Sequence, residues 1–100
     1  MKVFLSTAAR QDLSDIADHI ATESPTRAQL FVNDLLDSAD ALGLNAKLYP
    51  LLPGRETHGI RRRVHKRYLI FFRIEPAQVA VLHILHGAGD YEPLLFPDEE

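Results

Sequence analysis

The sequence predicts an α+β domain: an N-terminal strand, an α-helical hairpin, then three antiparallel strands forming one sheet. Three observations carry this reading. Apolar residues recur at helical spacing over Leu13–Ile20 and again over Ala28–Leu42. Residues 59–91, GIRRRVHKRYLIFFRIEPAQVAVLHILHGAGDY, hold apolar runs divided by short polar turns, as consecutive antiparallel strands do. Helices come first and most strands last, the order of an α+β domain.

The elements follow in chain order. Lys2–Leu5 forms a short strand. Ser6 or Thr7 caps the first helix, whose apolar face is Leu13, Ile16, Ala17 and Ile20, with Asp12, Asp15, Asp18 and His19 opposite. Ser24 as cap and Pro25 at the first helical position start a second helix. Its inward residues are Ala28, Phe31, Val32, Leu35, Leu36, Ala39 and Leu42, and Gly43 is expected to stop it. Residues 44–58 read as connection. Strands are expected over Ile60–His65, Tyr68–Ile74 and Val79–Leu85, turning at Lys66-Arg67 and at Glu75-Pro76-Ala77-Gln78. The expected domain covers residues 1–96, followed by an acidic, mobile tail at 97–100.

The last two strands are apolar on both faces, and two helices cover only one. The other face is therefore expected to be exposed until a partner covers it.

Composition excludes several classes. One hundred residues make one domain, and no apolar run approaches the ~20 residues of a spanning helix. Met1-Lys2-Val3-Phe4-Leu5 is too short for a signal-peptide core. The absence of cysteine removes disulfides and thiolate metal sites and fits a cytoplasmic protein. Charge lies in blocks. Residues 1–50 carry four bases and seven acids, residues 51–75 seven bases and two acids, and residues 76–100 five acids. The basic block sits on an acidic chain of net charge −3, unlike the overall basic character of a general nucleic-acid binder.

The ordered set of elements resembles the ParE branch of the RelE/ParE toxin superfamily over nearly the whole chain. The matching residues are Leu5-Ser6, Ala9, Asp12-Leu13 and Ile16 in the first helix, Gly59-Ile60-Arg61, the strand Tyr68–Ile74, and Val79–Asp90 with its His86-Gly87-Ala88-Gly89-Asp90 ending. One position departs: the family usually has arginine before that aspartate, and here Gly89 stands there. The resemblance implies the toxin of a type II toxin–antitoxin pair. Its expected partners are a ParD-like antitoxin and, as target, DNA gyrase. It implies no cofactor and no catalysis of its own.

Two alternatives stay open. One is a RelE-like ribosome-dependent messenger-RNA endoribonuclease. That chemistry needs a base, an acid and phosphate-binding cations. Its candidates are His65 or Glu56 as base, Arg61, Arg63 and Arg73 on phosphate, and His83, His86 or Tyr91 as acid. The bland reading of the same residues is a solvated basic face with scattered histidines. The other alternative is an attenuated module that only binds antitoxin. The partner surface is expected at Arg61, Arg62, Arg63, Lys66 and Arg67, with Phe71, Ile84, His86 and Asp90. The competing account of the basic run is a charged sheet edge that blocks pairing between copies. No metal is expected, because no His-Glu-x-x-His or similar run occurs.

Overall fold

The computed structural model describes residues 1–98. Its elements are β1 (Lys2–Leu5), α1 (Thr7–Ala21), α2 (Pro25–Asp40), α3 (Leu42–Asn45), β2 (Ile60–His65), β3 (Tyr68–Ile74), β4 (Gln78–His86) and α4 (Glu92–Leu95). Residues 99 and 100 of the expected tail lie outside the described residues.

Both main helices start where the cap residues place them. Ser6 Oγ accepts from Ala9 N at 3.0 Å, and Ser24 Oγ accepts from Arg27 N at 3.2 Å. Gly43 does not stop α2. It lies inside α3, where a Cβ would run into the Met1 carbonyl oxygen. The glycine is there for close approach: the Met1 amino group donates to Gly43 O at 2.7 Å.

The sheet order is β1-β4-β3-β2. The β2–β3 and β3–β4 pairs are antiparallel, and β1 runs parallel to β4. Beyond β1, residues of α1 satisfy the edge of β4. Ser6 N donates to Val81 O, Ser6 Oγ donates to Leu82 O, and Asp12 Oδ2 accepts from Ile84 N at 2.8 Å. The register shifts between Phe71 and Phe72, with Leu82 as the extra residue of a bulge in β4. Beside it, His83 Nδ1 lies 2.7 Å from Asp12 Oδ2. Asp12 is thus not the solvent-facing residue its helical position suggests. It stands in for a missing strand.

The main core lies between helices and sheet. Leu13 and Ile16 of α1 and Leu35 and Ala39 of α2 meet Ile70, Phe72, Val79, Val81 and Ile84. The opposite sheet face is also covered, which corrects the expectation of an exposed face. Leu52 and Phe96 close over Ile60, Leu69 and Phe71, flanked by Leu82, Leu85, Tyr91 and Leu95. A count of helices omits the loop before β2 and the C-terminal strap, and these two irregular segments supply the second layer.

Candidate functional site

The basic run divides between the two sheet faces. Arg61, Arg63 and His65 point toward the helices. Arg61 Nη1 donates to Tyr49 O at 2.7 Å, and Arg63 Nη1 donates to Ser38 O at 2.8 Å while its guanidinium lies over the Tyr49 ring. Arg62 projects from the other face and reaches Tyr91 Oη at 3.4 Å. Arg73 Nε donates to His58 O at 3.3 Å. These half-buried arginines fasten the 44–58 loop, the end of α2 and the C-terminal strap to the sheet. Reading Arg61 and Arg63 as a free, solvent-facing pair is therefore corrected: backbone carbonyls recruit them, and strand alternation alone does not reveal that.

Phe71 and Ile84 are likewise corrected as partner-contact residues. Both are fully buried, Phe71 under the strap and Ile84 in the main core. Of the expected partner surface, Lys66, Arg67, His86 and Asp90 are exposed. The turn after β4 is compact: Gly87 N donates to Arg67 O, and Ala88 N donates to His86 Nδ1. At Gly89 the nearest atom to an added Cβ would be His86 O at 3.4 Å, so the backbone leaves room for a side chain.

His65 is held rather than presented. Its Nδ1 lies 2.7 Å from Ser38 Oγ, its ring meets Phe31 edge-on at 5.8 Å, and its Nε2 is buried without a partner. Burial pushes its pKa below the usual 6.5, helped by the charges of Lys66 and Arg63 and opposed by Asp34. Protonation would leave a buried, unpaired N–H. The folded state thus binds this proton less readily than the unfolded chain. The stabilisation is complete above pH 6.5 and is lost as pH falls below it. Thermal unfolding from about pH 7 down to 5 should fall more steeply for the parent chain than for His65→Gln, which keeps a partner for Ser38 but cannot titrate. Parallel curves would show that other groups set the acid limit.

Tyr91, a candidate acid, packs on Phe71 at 4.9 Å on the far face. Glu56 is exposed and accepts from Gly54 N at 3.1 Å. Among the described residues no group of three or more His, Cys, Asp or Glu side chains converges to hold a metal, and no helix is long and apolar enough to cross a membrane.

Sequence reasoning missed the most exposed apolar surface. Leu44 is 94% exposed, Leu48 80% and Met1 58%. They line a groove of about 390 Å³ with Leu42, Ala46 and Ile74. Leu44, Leu48 and Tyr49 are visible in the sequence as apolar residues of a connection, which does not tell which of them are exposed. Tyr49 packs against the main core; Leu44 and Leu48 do not.

The family model described as "ParE toxin of type II toxin-antitoxin system, parDE" matches residues 3–91. The chain belongs to the ParE toxin family. Solved structures share the ParE fold. The chromosomal ParDE system of P. aeruginosa aligns with TM-score 0.76 and 22% identity, over 86% of this chain and 95% of that one. The RelBE2 toxin–antitoxin complex of Mycobacterium tuberculosis aligns with TM-score 0.56 and 22% identity, over 85% and 95%. Comparison with curated proteins returns no significant match. The ParE match takes in the caps of α1 and α2, the arginine-bearing β2 and Gly89, and it ends at Tyr91. The strap residues from Glu92 onward lie past it.

Proposed function

We propose that this ParE-family chain inhibits DNA gyrase without catalysis of its own and is silenced by a ParD-like antitoxin. The observation that carries the choice over ribonuclease action is that the base and phosphate-binding candidates are engaged within the fold. Hydrolytic cleavage needs a base, an acid and cations free to meet one phosphate. Here His65 is held against Ser38 Oγ with its other ring nitrogen buried, and Arg61, Arg63 and Arg73 donate to the backbone carbonyls of Tyr49, Ser38 and His58. Glu56, the other candidate base, accepts from Gly54 N.

The antitoxin's docking place is the apolar groove at Met1, Leu44 and Leu48. An exposed patch of this kind marks a partner site more often than a free surface. The occupant is an antitoxin segment with apolar anchors that orders on the toxin.

Purified toxin should block gyrase supercoiling or trap cleaved DNA, and the ParD-like protein should abolish the effect. Cleavage of messenger RNA on ribosomes with gyrase unaffected would reverse the choice. Tight antitoxin binding with neither activity would favour the attenuated module, with Gly89 as its mark.

A further inference from the structure

At the end of β3 opposite the apolar groove, the α1–α2 turn faces the β2–β3 turn across a cleft of about 440 Å³. Its size is in the range of small-ligand sites, roughly 300–1,000 Å³. Its rim carries Arg27, Lys66 and Arg67, with His19 beside them, and Glu23 is the one acid among the lining residues. Glu23 does little to neutralise the rim. Its contact with Arg27 is 3.9 Å long and both side chains are more than 70% exposed. The inner wall is Ile20, Phe31 and Tyr68, with the two rings 5.5 Å apart.

Lys66 supplies an independent observation. It has φ +55°, the left-handed region, and no other described non-glycine residue has a positive φ. A tight hairpin turn normally places glycine or asparagine there. A lysine at that position costs conformational energy, and such strain is kept where it positions a group. Here it holds the ammonium 5.7 Å from the Phe31 ring centroid, at the cleft.

We propose that this cleft binds a nucleoside phosphate, with the phosphate among Lys66, Arg67 and Arg27 and the base against Phe31 and Tyr68. Cations alone would take any anion. The aromatic wall adds the stacking or edge contact that a base provides and a bare phosphate lacks. The ligand is a free mononucleotide or the phosphorylated end of a nucleic-acid strand, which present the same chemistry.

Calorimetric titration of the purified full chain at low ionic strength tests this. The probes are adenosine 5′-monophosphate, adenosine, inorganic phosphate, and a short single strand with and without a 5′-phosphate. The nucleotide should bind saturably and at least tenfold more tightly than phosphate or adenosine. A phosphorylated strand that outcompetes the mononucleotide identifies the strand end as the source; equal affinities identify the free nucleotide. Lys66→Gly removes the ammonium while relieving the turn, so the fold is kept. It should weaken nucleotide binding roughly tenfold, the worth of one charge-assisted contact, without lowering the melting temperature. No saturable binding, equal binding of inorganic phosphate, or an unchanged affinity in Lys66→Gly would overturn the proposal.

Discussion

Phe96→Ala should destabilise the domain by about 3–5 kcal/mol, the usual cost of deleting a buried aromatic ring. Phe96 is the capstone of the second core. It is 6% exposed, packs with Leu52, Ile60, Leu69 and Phe71, and meets His58 at 4.7 Å. The Arg55 guanidinium lies 4.5 Å from its ring centroid and also pairs with Glu92 at 3.0 Å. Removing the ring therefore loosens the whole strap and uncovers one face of β3. A domain of this size has only about 5–15 kcal/mol in hand. The melting temperature should fall by more than 10 °C, at roughly 4–8 °C per kcal/mol, and the variant should bind more of a hydrophobic dye than the parent does. A variant as heat-stable as the parent, with the same dye binding, would show the strap to be an ornament on a sheet that is stable bare.

The second large effect is on binding. Leu44→Asp combined with Leu48→Asp should weaken antitoxin affinity by about a hundredfold or more, because two apolar anchors are replaced by charges that must be desolvated. Folding stability should move little, within about 0.5 kcal/mol for each exposed site. The two readouts must be taken together, by thermal unfolding and by titration with the antitoxin. Unchanged affinity would move the docking surface elsewhere. Lost affinity with lost folding would show that these leucines support the core instead.

Local signals carried most of the architecture. The caps at Ser6 and Ser24, the 3.6-residue periodicity and the turns at Lys66-Arg67 and Glu75–Gln78 match the observed elements within a residue or so. What the sequence concealed depends on long-range geometry. Gly43 looks like a helix stop until Met1 is seen lying against it. Arg61 and Arg63 alternate like solvent-facing residues, but the carbonyls that bind them belong to Tyr49 and Ser38, distant in sequence. Phe96 sits among prolines and acids with no periodic pattern, so its place in a core had no local sign. The same blindness affected the site. Residue type pointed to the arginines, whereas exposure, which periodicity cannot give inside a loop, singled out Leu44 and Leu48.

The parallel pairing of β1 with β4 has a consequence for synthesis. Ser6 bonds to Leu82 across 76 positions, and Asp12 to Ile84 across 72. The helical hairpin can form early, since its contacts are local. The sheet cannot close until the last quarter of the chain has left the ribosome, because its first strand waits for a neighbour not yet made. A nascent copy is therefore a tethered pair of helices without a finished surface.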